Sequence, residues 1–281
     1  MNIVNLQTFL SIVETGSLVR ASEQLNVTQS TVTARLKSLE EALGSQLLNR
    51  DKSGVSLTPA GAKLMRYAQI MTGLWRQARR ETALPEGLAA LCTLGCHADL
   101  WDDAGRRAVT LLTRDRPELA LTIHGGSDGE LERGLSEGLL DMVLTHRFRL
   151  RGGLSARELP PEEIALYGTR PGMAHKGNAD YVFVDHGEEY RQGHGETYFD
   201  ANTARVEFSS STWAIGYLMD RGGQAYLPRA LAAGPLSEGR LHAVPDAPVF
   251  QRRRYLVWRD ASARNWGWFD RYLADLAHAL T

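Results

Sequence analysis

Two groups of residues in this 281-residue chain have the types and spacing to do chemistry. The first is small, polar and near the N-terminus: Ser17, Leu18 and Arg20, then Thr28-Gln29-Ser30-Thr31, Thr33-Ala34-Arg35 and Lys37. Its chemistry is hydrogen bonding to nucleic acid. Gln bonds adenine in bidentate fashion, Arg prefers guanine, and Ser or Thr serves either. A helix that starts in hydroxyls also offers free N–H groups and a dipole that favours phosphate. Arg50, Lys52 and Thr58 extend the set, the two cations as phosphate contacts. The second group is scattered through the rest of the chain: Cys96-His97-Ala98-Asp99-Leu100, Gly126-Ser127, Thr145-His146, Ser209-Ser210-Ser211 and Tyr226. These are contact residues for a small molecule, provided the fold brings them together.

The elements that must position the first group are two short helices. Ser17 caps one, whose Leu18, Ala21 and Leu25 share a face. Asn26-Val27 turns the chain and Thr28 caps the second. Val32, Leu36, Leu39 and Leu43 form a buried stripe on the second helix; Ser30, Ala34, Lys37 and Glu41 point the opposite way, with Thr31, Thr33 and Ser38 on the flanks. Leu6, Phe9, Leu10 and Val13 predict a preceding helix that walls a three-helix core. Leu47 to Arg50 and Val55 to Thr58, around a tip at Asp51-Lys52-Ser53-Gly54, read as a two-stranded wing. The expectation is a winged helix-turn-helix.

The stretch L-x-x-F-L-x-I-V-E-T-G-S-L-x-x-A-S-E-Q-L-N-V-T-Q-S-T-V-T-x-R-L-K-x-L-E-E-x-L-G-x-x-L-L-N-R, followed by L-T-P-A-G, resembles the start of a LysR-type transcriptional regulator, contiguously from Leu6 to Ala68. The resemblance implies a periplasmic-binding-protein-like effector domain of two subdomains, a small-molecule effector, a dimer or tetramer that bends double-stranded DNA, and RNA polymerase as a further partner such a regulator could contact. That family often has a basic residue where Ala34 stands; here the Arg is at 35, so no target sequence carries over. It also commonly places Ser or Thr where Ala98–Leu100 stand, helping a helix N-terminus hold a carboxylate. Asp99 at that turn works against an anionic ligand.

Composition sets wider bounds. Hydrophobic content of 43% and charged content of 23% are those of an ordinary globular protein. Residues 1–90 hold ten Lys/Arg against seven Asp/Glu, +3, and the rest 22 against 26, −4. A mildly basic head on an acidic body fits a DNA reader with a separate module. No apolar run is long enough to span a membrane and no signal peptide opens the chain, so a cytoplasmic location is expected. Cys92 and Cys96 fall in one strand, Cα atoms ~13 Å apart, beyond the roughly 4.4–6.8 Å of a disulfide.

Residues 1–58 are thus the expected DNA-binding head and 59–87 a linker helix and hinge. Thr58-Pro59 opens that helix, and Leu64, Ala68, Met71, Trp75 and Ala78 recur as a seam for pairing with a second copy. Residues 88–281 are the expected effector domain, an α/β module with subdomain I at about 88–163 and 259–281 and subdomain II at about 164–258. From Leu88 strands and helices alternate in βαβ order, which predicts a parallel sheet. Predicted strands are 90–96, 119–124, 142–145, 154–159, 164–167, 181–184, 206–209, 224–227 and 254–258; predicted helices are 100–114, 129–137, 188–199, 212–221, 229–232 and 263–280. Ligands of such sheets bind beyond the strands' carboxyl ends. His97, His124 and His146 end three adjacent strands; with Asp99 they could bind Zn²⁺ or titrate, but no close His/Cys spacing supports a metal. No cofactor is expected.

Three functions compete: a ligand-responsive transcriptional regulator, an α/β enzyme with a DNA-binding head, and a ligand-independent DNA-organising protein. Against the enzyme, the chain has no G-x-S-x-G, phosphate-binding loop or H-E-x-x-H. A DNA-organising protein would need no cleft.

Overall fold

The structure, a computed structural model, describes residues 2–51, 54–149, 151–177, 179–198 and 204–281, except for the side chains of Arg50, Asp51, Gln77, Arg80 and Glu81. The chain divides into two compact units, Met1–Glu86 with Glu137–Leu139, and Gly87–Ser136 with Leu140–Thr281.

The first unit is a winged helix-turn-helix. Helix α1 (Ile3–Thr15) starts under the Asn2 side chain and stops at Gly16, whose φ of 66° is the left-handed conformation glycine adopts freely. Helix α2 (Leu18–Gln24) and α3 (Gln29–Leu43) follow, separated by a turn in which Asn26 takes φ 52°. Strands β1 (Leu48–Asp51) and β2 (Gly54–Leu57) pair antiparallel as the wing. The Val55 N–H donates to the Gly16 carbonyl at 3.2 Å, tying wing to helix pair. Leu6, Phe9, Ile12, Val32, Leu36 and Leu39 are almost wholly buried at the centre. Each such burial contributes ~1.5–3 kcal/mol before the entropy of ordering. Leu43 falls outside the predicted stripe: it ends α3 at the Gly44 cap and is 42% exposed.

Helix α4 (Pro59–Thr82) completes this unit. Its Leu64, Met65, Ala68 and Met71 pack on the head's own core, so three of the five expected seam residues face the head, while Trp75 and Ala78 stay exposed. One side of the helix is spent on the head. The exposed apolar side chains are Tyr67, Leu74 and Trp75, a neighbouring stripe.

The second unit is built on one sheet, ordered β4-β3-β5-β11-β6-β9-β7-β8, with β10 (His242–Ala243) against β6. Strands β3 (Ala90–His97), β4 (Leu119–Gly126) and β5 (Met142–Thr145) run parallel, as do β7 (Tyr181–Val184), β8 (Val206–Phe208) and β9 (Gln224–Pro228). The expected parallel sheet therefore exists at both ends. The middle is antiparallel: β6 (Leu154–Gly168) and β11 (Phe250–Arg259) run side by side between the halves. The predicted strands 154–159 and 164–167 are one strand. Pro160-Pro161 lacks N–H donors without ending it, because the register shifts between Arg252 and Arg254 opposite the two prolines. The strand expected over 254–258, returning the chain to the first half, is the end of the longer β11, and its Arg254 pairs with Leu159.

Helices α5 (Arg106–Asp115) and α11 (Phe269–Ala279) cover one face of the first half, and α6 (Asp128–Ser136) packs with Val143 and Val257 on the other. The second half carries α7 (Glu188–Thr197), α8 (Ser211–Arg221) and α9 (Arg229–Ser237). The predicted helix 229–232 runs on to Ser237, and two others change course. The 100–114 helix begins as a 3-10 turn at Ala98–Leu100 and a π-turn at Trp101–Gly105, because Gly105 crosses close to Cys96 and Trp101: a Cβ on it would lie 2.9 Å from each. The closing helix splits into α10 (Asp260–Ala263) and α11, with Trp266 and Trp268 stacked at 5.2 Å across Gly267 in the break.

Candidate DNA-reading face and effector cleft

In the head, the start of α3 is shaped by its own hydroxyls. Thr28 Oγ1 accepts from the Thr31 N–H at 3.2 Å and lies 2.8 Å from both the Ser30 and Thr31 hydroxyls. Ser17 Oγ accepts from the Arg20 N–H at 3.4 Å. These caps fix the first turns and leave Arg20, Thr28, Gln29, Ser30, Ala34 and Lys37 exposed on one surface, with Ser17, Thr31, Thr33 and Arg35 half-buried beside them. Lys37 reaches Glu41 at 3.7 Å, a solvated pair that holds it weakly. Two expected contacts face inward instead. Leu18 is part of the head core, and Thr58 is buried, its hydroxyl donating to the Gln46 carbonyl at 2.7 Å and accepting from the Gly61 N–H at 3.0 Å. A threonine that caps α4 and bonds the loop before β1 has no face left for DNA. Lys52 and the Arg50 side chain lie outside the described residues.

In the body, a cleft of about 810 Å³ opens between the two halves. His97, His146 and Asp128 line it from the first half, His186 and Arg191 from the second, and Arg252 from β11. Of the expected histidines, His97 and His146 meet edge-to-face at 5.1 Å, whereas His124 is exposed and does not line the cleft. Ser209 lines it. Asp99 and Ser211 are buried beside it and bond each other.

The remaining predicted contacts serve the scaffold. Cys96 and Leu100 sit in the first half's hydrophobic core. Residues 92, 94 and 96 share one face of β3, and that face meets α5 and α11, away from the cleft. Tyr226 is wholly buried in an aromatic cluster with Tyr190 and Phe250, its hydroxyl 2.7 Å from that of Tyr198. Ser127 and Glu130 cap α6 reciprocally, the Glu130 carboxylate accepting from the Ser127 N–H and hydroxyl. Thr145 Oγ1 lies 2.6 Å from Asp128 Oδ1. Ala98 is exposed, and Gly126 ends β4 beside Leu131.

The electrostatics around the cleft come from His146 and from three residues the sequence did not single out, His186, Glu162 and Arg252. Burial and then the nearby Arg252 guanidinium hold the His146 imidazole well below its usual range. His186 falls to about 4 for the same causes in the same order. Both rings are neutral at pH 7, each with one nitrogen on a backbone carbonyl, Arg253 O at 3.1 Å and Tyr226 O at 2.9 Å. Burial pushes the Glu162 carboxyl up to about 7, although Arg252 stands 3.8 Å away. Arg252 stands in a Gln-Arg-Arg-Arg run just ahead of the expected 254–258 strand, and His186 between the expected 181–184 strand and 188–199 helix. Only the alternation along β11, with Arg252 and Arg254 on one side and Arg253 on the other, could have found the inward pair.

Comparison with known proteins places this geometry. Residues 3–62 match the bacterial regulatory helix-turn-helix domain of the lysR family, and residues 86–265 match the LysR substrate binding domain. The chain is 28% identical over 263 residues to the HTH-type transcriptional regulator HdfR of Escherichia coli O17:K52:H18, covering 92% of each. The crystal structure of CbnR, a LysR family transcriptional regulator, shares the fold with a TM-score of 0.73 at 15% identity, covering all of both chains. Full-length CbnR in complex with its target DNA gives 0.72 at 16% identity, covering 99% of this chain and 100% of that one. The enzyme alternative falls with these matches, since both matched domains are those of regulators. The chain belongs to the LysR family of DNA-binding transcriptional regulators.

Proposed function

We propose that the chain reads an inverted-repeat promoter site with the exposed start of α3 and that a small molecule in the body's cleft changes its DNA binding or bending. The observation that carries the first part is the capped, outward face of Thr28, Gln29 and Ser30 beside Arg20 and Lys37. Polar side chains held by their own caps at a helix start suit a major groove. The 810 Å³ cleft supports the second part; its size is that of a metabolite site. A homodimer or homotetramer, paired through the exposed stripe of α4, would present two heads to two half-sites ~34–36 Å apart. CbnR's complex with target DNA is a precedent within the family. No helix among the described residues is long and apolar enough to cross a membrane, which accords with action on DNA in the cytoplasm.

Sequencing of protein-bound DNA, with and without candidate metabolites, tests both parts. The expected result is a set of sites sharing a two-fold-symmetric motif, with occupancy or footprint length that changes with one metabolite. Binding without a shared motif would sink base reading. A footprint indifferent to every metabolite would sink the effector cleft.

A further inference from the structure

Helix α8 belongs to the second half, yet its first N–H is satisfied from the first. Its N-cap, Ser210, makes no side-chain capping bond to the helix; the Ser211 N–H donates instead to Asp99 Oδ1 at 3.2 Å. Asp99 Oδ2 accepts from the Ser211 hydroxyl at 3.1 Å and from Arg252 Nη1 at 3.3 Å, and the Ser210 hydroxyl stands 3.5 Å from Oδ1. The Asp99 side chain is 1% exposed. A helix N-terminus, two hydroxyls and a guanidinium thus converge on one carboxylate, the donor set that a free carboxylate would require. The lining around this seat is polar beyond what Asp99 uses. His146 Nε2, His186 Nδ1 and Arg252 Nε are buried without a hydrogen-bond partner among the described residues. Glu162, the other acid beside Arg252, is held partly neutral at pH 7 by burial.

We propose that Asp99 is a built-in anion: its carboxylate occupies the seat at the start of α8, latches the two halves together, and denies that seat to an anionic ligand. This rests on reading the body as an effector cleft. It also names the class of ligand left to the cleft. The walls alternate Arg147 with Asp128, Arg191 with Asp185 and Arg253 with Glu189, cation against anion. A neutral or zwitterionic polar molecule matches such walls; a simple anion does not.

The test uses the full chain and sodium formate or acetate as the probe, with chloride at equal ionic strength as control. Removing the latch by Asp99→Ala should lower the body's thermal midpoint by several degrees. Formate should restore most of that loss with millimolar half-saturation and should leave wild type unmoved. Trp213, 68% exposed in the first turn of α8, should report the same titration by fluorescence. Adding Ser211→Ala should weaken the formate response about fivefold, one hydrogen bond's share. The proposal is overturned if formate acts no differently from chloride on Asp99→Ala, or acts equally on wild type. Should Asp99→Ala fold poorly, Asp99→Ser takes its place. If formate rescues neither and Asp99→Asn is as stable as wild type, charge plays no part and the proposal fails. Formate rescue alongside operator binding that no metabolite alters would keep the latch and discard the effector cleft. The reverse would discard the latch alone.

Discussion

At the residue scale, Gln29 carries the sharpest expectation. It is exposed at the first position of α3, and its side chain bonds nothing among the described residues. Gln29→Ala should cost roughly 1–3 kcal/mol on the operator and little on random DNA, read by gel shifts on both. Equal losses on the two would refute base reading there. The cysteines give a second expectation. Burial raises both thiols, Cys96 to about 12, so neither ionises near pH 8. Native protein should therefore resist a thiol reagent over minutes, while denatured protein should label at two sites. Fast native labelling would place a thiol at the surface. Residue types were legible in the sequence; side-chain direction often was not. Thr58 and Tyr226 have the polar atoms of contact residues, yet each spends them inside the fold, on partners 12 and 28 residues away in the chain.

At the element scale, Gly61 shows why α4 starts where it does. A Cβ there would stand 2.1 Å from the Leu47 carbonyl oxygen, a backbone atom that cannot swing aside. Gly61→Ala should cost the head ~1–3 kcal/mol in denaturant melts; a neutral effect would mean the wing and helix separate easily. Glu162 on β6 gives a pH signature. Its folded pKa of about 7 lies above the ordinary carboxylate value, so its neutral form favours the fold below the ordinary value. That contribution fades as pH rises through 7. Glu162→Gln should therefore gain midpoint relative to wild type between pH 5.5 and 8, and a pH-independent difference would contradict the shift. The buried neutral histidines act oppositely, adding stability as pH rises from about 4 through 6.5, so the variant-minus-wild-type difference is the clean readout. Most elements were legible from periodicity, Met142–Thr145 to the residue. The antiparallel centre was not, because alternating strands and helices say nothing about a strand that leaves one half for the other. Nor was the π-turn, which exists to let Gly105 pass Cys96 and to bring Asp103 within 2.6 Å of Arg254.

At the scale of the whole molecule, assembly turns on which side of α4 is free. Leu64, Ala68 and Met71 hold the head together, so charging them would unfold it rather than separate copies. Tyr67 and Leu74, 58% and 41% exposed, form the stripe that remains. Tyr67→Asp with Leu74→Asp should leave the head folded by circular dichroism, reduce the mass seen by light scattering, and lower operator affinity to that of a single head. Wild-type mass and affinity in that variant would rule out pairing through α4. Symmetric assembly itself could be read from the family resemblance; the stripe proposed to mediate it could not, since periodicity alone does not say which apolar side the head takes. One feature of the body has a mechanical side. Pro160 and Pro161 face the bulge between Arg252 and Arg254, where β6 and β11 both pass from one half to the other. Two prolines and a skipped register leave this ribbon short of ladder bonds at that point. A beam notched once yields at the notch. A ribbon softened at that point predicts that amides beside it take up deuterium sooner than those of β3 or β9.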